Sequence, residues 1–374
     1  MKFVISSNVL FERLQAINKV ISSKNTLPIL DNFLFDLSDK KLTITASDLE
    51  STMITSLDLE NAEGEGVIAI PAKRLIDTLK EFSVQPLTFD VNTDTYATVI
   101  LTQNGKFTIT GQNGDDFPTL ARLKDDKKSV MVDANILFSG ISKTLFAAAE
   151  DDLRPIMNGI FMEIYSSGLT FVASDGHKLV RYRRTDVTVE EEGSFVLPQK
   201  PATLLKTVLA KEQGTVAVSY DDRNAYFQMA NYKMVCRLLE GSYPSYAAVI
   251  PNNNPNKMII DRVEIYTTIK RVAVFSNQAS NLIKLQIANN QLIVSAQDID
   301  FSISAFERLN CQYDGDEIEI GFKSQALLDI LSNLSSEHVV IELSDPGRAG
   351  IILPVEKDIE AEDILMLQMP LQIS

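Results

Sequence analysis

One short pattern occurs three times along the chain at nearly constant spacing, and any fold must accommodate that repetition. Residues 42–49 read LTITASDL, 169–176 read LTFVASDG and 292–299 read LIVSAQDI, so Asp48 returns as Asp175 after 127 residues and as Asp298 after a further 123. A second trio, 70–79 (IPAKRLIDTL), 197–208 (LPQKPATLLKTV) and 320–330 (IGFKSQALLDI), keeps the same two offsets. A third precedes them, beginning at Leu10-Phe11, Leu137-Phe138 and about Ile265-Tyr266, with Leu27-Pro28-Ile29 answered by Arg154-Pro155-Ile156. Three segment families that share one spacing mean three copies of one module. The polar joins at 124–128 and 252–256 separate them, so domains are expected at 1–126, 127–252 and 253–374.

Each copy reads helix, strands, helix, strands. Leu10, Leu14, Ile17 and Ile21 make an apolar stripe at helical spacing, repeated by Leu137, Ile141 and Leu145 and by Ile265, Ile269 and Val272. Second helices follow with Leu75, Leu79 and Phe82, and with Leu327, Leu331 and Leu334. Period-two runs between them, such as 42–46, 107–110, 216–218, 339–343 and 350–353, read as strands. The expected class is α+β, three tandem repeats of a two-helix, multi-strand module.

The formal charge of −15 argues against a polyanionic partner until its distribution is counted. The six helical segments, 8–24, 71–82, 135–149, 198–211, 262–277 and 322–334, hold 14 Lys and Arg against five Asp and Glu, a net +9 that leaves −24 for the remainder. Lys19 lies about 180° around the helix from Leu10, and Lys73 about 160° from Leu75, so these cations face away from the apolar stripes. A shared basic helical face suits phosphate contacts without base readout.

Other classes find little support. No apolar run approaches the roughly 18 residues of a membrane span, and 1–13 reads as no secretory signal. Cys236 and Cys311 are 75 residues apart with neither CxxC nor Cys/His spacing, which fits buried thiols in a reducing cytoplasm. Phosphate-binding glycine loops and HExxH are missing, so neither a nucleotide cofactor nor a metal is expected. Ser174, Asp175 and His177 contain the residue types of a hydrolase triad, but neighbours in sequence rarely converge as a triad does. The recurrence of the Asp alone marks it as a turn residue that ends a strand.

The opening Met1-Lys2-Phe3, the runs at 26–30 (TLPIL), 47–50 (SDLE), 174–179 (SDGHKL) and 243–246 (YPSY), and Met369-Pro370-Leu371 carry a resemblance over essentially the whole chain. It resembles the bacterial DNA sliding clamps, the beta subunits of DNA polymerase III. The resemblance implies a non-enzymatic processivity factor, a head-to-tail homodimer whose six domains form a ring around duplex DNA. It also implies a cytoplasmic, nucleoid-associated protein without cofactor or membrane partner. Its implied partners are the replicative polymerase, the clamp loader, and repair or translesion proteins carrying clamp-binding peptides. Their pocket would comprise Met157, Ser174, Gly176, His177, Lys178, Leu179, Pro244, Val249, Leu367, Met369, Pro370 and Leu371. DNA-contacting positions would be Lys24, Lys73, Arg154, Pro155, Ile156 and Lys200. At the dimer interface Phe107 and Ile109 would meet Val274 and Phe275. Ala248 stands where some members have Arg, the tail lacks a basic end, and only Asp298 and Asp300 follow the third turn where members often carry many carboxylates. A peptide-binding scaffold unrelated to DNA is the alternative reading; it leaves the helix charge unexplained.

Overall fold

A computed structural model describes residues 1–22, 24–119, 127–357 and 359–373. Most of the join at 124–128 therefore lies outside the described residues. Six α-helices are present among them: α1 (Ser7–Ile17), α2 (Ala72–Lys80), α3 (Ala134–Thr144), α4 (Gln199–Leu209), α5 (Arg262–Val272) and α6 (Ser324–Ser332). The repeat is visible in their order, with one addition. A strand precedes the first helix of every copy: Lys2–Ser6, Lys128–Asp133 and Asn256–Asp261. Phe3 and Ile5, Val130 and Val132, and Met258 and Ile260 supply its buried face at period two.

The first helices are shorter than their stripes suggest. Each ends in a 3₁₀ turn, Asn18–Val20, Leu145–Ala147 or Ala273–Phe275. A 3₁₀ turn advances with three residues rather than 3.6, so the buried side chain after Ile17 is Val20 and not Ile21. In the second copy Thr144 and Ala147 are buried, while Leu145 is only half-buried.

The chain forms two compact units, 1–138 with 203–238, and 139–202 with 239–374. In the first unit a nine-stranded sheet runs through two repeats, because strand Ser51–Asp58 pairs antiparallel with Tyr232–Arg237, Ser51 opposite Cys236. In the second unit another nine-stranded sheet does the same, with Lys178–Arg184 antiparallel to Glu362–Gln368 and Lys178 opposite Gln368. Each unit also holds a smaller sheet with an open outer strand: Lys106–Thr110 in the first and Ile303–Asn310 in the second. The recurring Asp turns share one pair of side-chain bonds, although the third is two residues longer, Asp298 pairing with Ile303. Asp48 Oδ1 accepts from the Glu50 and Ser51 amides, Asp175 Oδ1 from those of His177 and Lys178, and Asp298 Oδ1 from those of Asp300 and Phe301. A short carboxylate that satisfies two turn amides explains why Asp recurs while its neighbours vary.

Candidate functional site

A cavity of about 310 Å³ opens in the second unit beside the Asp175 turn. Its lining includes Met157, Ser174, Gly176, His177, Lys178, Leu179, Pro244, Val249, Leu367 and Met369, so ten of the twelve residues expected at a pocket meet in one place. Pro370 and Leu371 are not on its wall. They continue the chain from Met369, and Leu371 forms an antiparallel bridge with Gly321. Arg154, Tyr243, Ser245 and Tyr246 complete the lining. The YPSY run contained the signal for three of these, since two aromatics around a proline suit a rigid apolar wall.

The cavity floor is structural core. Leu179 and Leu367 belong to a buried cluster with Val172, Ala349, Ile351 and Leu365, against which Phe161, Tyr243 and Tyr246 pack. Phe161 and Tyr243 stack at 4.8 Å, and Tyr246 meets Phe161 edge-on. The Tyr246 hydroxyl donates to Glu163. Burial pushes the Tyr243 hydroxyl up to about 12, and burial followed by the Glu163 hydrogen bond raises Tyr246 further. Both rings therefore stay neutral and present apolar faces.

The lip is the Asp175 turn. Gly176 sits at φ +89°, a left-handed conformation that favours glycine, although its first-repeat counterpart Leu49 holds φ +78° with a side chain. Burial raises the Asp175 pKa, but hydrogen bonds from the Lys178 side chain and from the Lys178 and His177 amides outweigh it and leave the carboxyl below its ordinary value. Met369 N donates to His177 O at 2.8 Å, which fastens the tail across the turn.

No catalytic arrangement is formed by these groups. Ser174 Oγ donates to Lys178 O at 2.8 Å and accepts from the Gly176 amide, so its proton is committed to the turn backbone. Asp175 is likewise occupied by its own turn and by Lys178. Cys236 is buried, its thiol pushed up to about 12 by that burial, whereas Cys311 is only half-buried, against expectation. Among the described residues no group of three or more His, Cys, Asp or Glu could hold a metal ion, and no helix is long and apolar enough to cross a membrane. What the cavity offers is an apolar trough with a few polar groups at its rim, suited to anchoring large apolar side chains.

The residues expected at DNA divide differently. Lys24, Lys73 and Lys200 are exposed. Arg154 instead leans over the cavity lip, its Nε donating to Asp151 Oδ2 at 2.9 Å and its Nη2 to Asp175 O. Pro155 and Ile156 begin a 3₁₀ turn that ends at Met157 on the cavity wall. Among the helix cations in the +9, Lys143 is paired with Glu362 and Arg271 with Glu307 at 2.6 Å. Arg13 is held by Asn231 and lies over the Tyr232 ring. The exposed charge that remains, Lys19, Lys73, Arg74, Lys80, Lys211 and Lys270 among others, still exceeds the acidic residues on the same helices.

Phe107 and Ile109 lie on the open outer strand of the first unit, Phe107 40% exposed and against Phe82. Val274 and Phe275 lie in the 3₁₀ turn after α5, 73% and 38% exposed.

Three family models match in succession: the DNA polymerase III beta subunit N-terminal domain at 1–121, the central domain at 131–245 and the C-terminal domain at 247–371. The beta sliding clamp of Pseudomonas aeruginosa is 26% identical over 99% of this chain and all of its own. That of Synechococcus elongatus is 28% identical with both chains fully covered. Among solved structures, the P. aeruginosa sliding clamp bound to griselimycin superposes with a TM-score of 0.94 at 26% identity, covering both chains completely. The Bartonella birtlesii clamp, also bound to griselimycin, gives 0.92 at 27% with the same coverage. With three consecutive domain matches, full-length relatives and a three-domain clamp fold, the chain belongs to the DNA polymerase III beta subunit family, the beta sliding clamps.

Proposed function

We propose that this chain acts as a non-enzymatic processivity factor: two copies close head-to-tail into a ring of six domains, 1–126, 127–252 and 253–374 from each. The ring encircles duplex DNA and tethers the replicative polymerase and other DNA-processing proteins. The observation that carries this reading is the apolar cavity beside the Asp175 turn, in a chain that matches sliding clamps from end to end. Partners insert a short peptide whose large apolar side chains fill the trough between Leu179, Leu367 and Met369. Pro370 and Leu371 serve by holding Met369 in place.

DNA is held through charge and not through bases. Lys24, Lys73 and Lys200 contact phosphates, and Arg154, with Pro155 and Ile156, forms the edge nearest the peptide site. Contacts of this kind are salt-dependent and weak individually, which allows sliding while linkage prevents escape. The protein works in the cytoplasm at the nucleoid, with a clamp loader as the partner that opens the ring. A primer-extension assay on primed circular DNA with a matched polymerase and loader tests the reading. Product length should rise by more than about tenfold on adding this chain. Unchanged, distributive synthesis would contradict it.

A further inference from the structure

The repeat that builds the cavity beside the Asp175 turn builds another from the same positions, with different chemistry. In the first unit a cavity of about 280 Å³ opens beside the Asp48 turn, where the first repeat joins the second. The backbones of the two joins are alike. Thr52 opposes Val235 as Leu179 opposes Leu367, and Arg237 N donates to Glu50 O as Met369 N donates to His177 O, each at 2.8 Å. Ser47 Oγ accepts from the Leu49 amide as Ser174 Oγ accepts from that of Gly176. On this shared frame the side chains diverge. Thr52 stands in the place of Leu179, Glu50 in that of His177, and Arg237 in that of Met369, so an apolar trough becomes a basic one.

A second guanidinium belongs to the same wall. Asn224 opposes Arg237 across a strand pair, which brings the preceding residue, Arg223, to the same end of the sheet. Both arginines line the cavity and are exposed. Among the described residues Glu50 is the one carboxylate on the lining, and its Oε1 stands 4.0 Å from Arg237 Nη1 with both side chains more than half exposed. An ion pair this long and this well solvated contributes little, so another carboxylate can take its place at small cost. Leu49, 51% exposed, gives the cavity an apolar edge.

We propose that this cavity is a second docking site, for an acidic peptide segment of a protein partner: Arg223 and Arg237 hold a carboxylate of the segment, and Leu49 packs against an apolar side chain beside it. Two forked cations at one strand end match the paired oxygens of a carboxylate. Glu50 takes that place in the free chain and is displaced. The occupant is a peptide and not a nucleic acid for two reasons. No aromatic ring on which a base could stack lines the cavity among the described residues, and a sugar-phosphate backbone offers nothing apolar to Leu49. The chain thus carries two unlike docking sites, one for large apolar side chains and one for carboxylates, and failure of the second leaves the reading of the first untouched.

The test uses the full chain and a fluorescein-labelled peptide in which Asp and Glu flank a single Leu, with binding read by fluorescence anisotropy. Arg223→Ala and Arg237→Ala should each weaken binding by about tenfold or more, as loss of a charge-assisted bidentate contact does. Glu50→Gln removes the internal competitor and should tighten binding by about threefold, a gain that damage to the fold cannot produce. Saturating the Met369 cavity with an unlabelled peptide of Gln and large apolar residues should leave the acidic peptide bound. Its displacement would place it in the Met369 cavity and overturn the second site. Equal affinity in the arginine variants, a Glu50→Gln chain that binds no tighter than wild type, or no saturable binding up to about 1 mM peptide would overturn it as well. An oligothymidylate that competes at lower concentration than the unlabelled acidic peptide, and loses affinity in the same arginine variants, overturns the peptide in favour of nucleic acid.

Discussion

A methyl group at Gly321 should disable a pocket whose wall Gly321 does not form. The ideal Cβ at this position lies 2.7 Å from Leu371 O, 2.8 Å from Leu282 Cδ1 and 3.0 Å from Ile373 Cγ1. The closest of these is backbone and cannot rotate aside, so Gly321→Ala lifts the tail. The forces that resist lifting can be summed. The bond from Leu371 N to Gly321 O, 2.8 Å, contributes about 1 kcal/mol net. Leu371 and Ile373 are half-buried and contribute about 1 kcal/mol each, roughly half the value of full burial. About 3 kcal/mol thus holds a terminal segment that can detach without unfolding the domain. Met369, two residues earlier, then loses its fixed place over His177. The affinity of a labelled peptide containing Gln and large apolar residues, read by fluorescence anisotropy, should fall more than about tenfold. A chain ending at Pro370 should show the same loss, and combining the two changes should add nothing. Wild-type affinity in Gly321→Ala would refute the reasoning, as would fully additive losses.

Three further outcomes follow from the structure. Lys24→Ala and Lys73→Ala should each reduce the slope of log affinity against log salt for duplex DNA by about 0.9, measured by titration across salt concentrations; an unchanged slope removes that lysine from the DNA contact. Glu362 accepts from Lys143 and from the buried Tyr182 hydroxyl, so Glu362→Ala should cost about 3 kcal/mol in urea unfolding, while Glu362→Gln, which keeps an acceptor for Tyr182, should cost less. Asp175 titrates below its ordinary value in the folded protein, so its contribution is complete above that value, about 4, and is lost as pH falls through the lowered one. Wild type and Asp175→Asn should therefore differ in stability at neutral pH and converge in acid; a gap that persists at about pH 2 contradicts the assignment.

Much of the fold was legible because the repeat tests every assignment three times. Leu10, Leu137 and Ile265 are all fully buried, and the Asp turns agree in both of their amide bonds. The strand before each first helix was harder to read, since Lys2–Ser6 is five residues with only Phe3 and Ile5 buried. The shift from Ile21 to Val20 was illegible because nothing in local composition marks where an α-helix tightens into a 3₁₀ turn. Pocket residues came from family resemblance, and no periodicity would have found them: Met157, Leu179 and Leu367 look like ordinary core positions, which by burial they are. Arg154 belongs to the same lesson. Its expected DNA contact came from the same resemblance, whereas its orientation depends on Asp151 three residues earlier and on the Asp175 backbone, a contact between segments 21 residues apart.

The most direct test of the ring is retention on nicked circular DNA. Purified chain is loaded with a matched clamp loader and ATP, and the circle is then cut once with a restriction enzyme. A closed ring predicts stable association with the circle and loss within the time of sliding once an end exists. Equal retention before and after cutting would contradict encirclement, because a protein bound by contacts alone has no need of a circle.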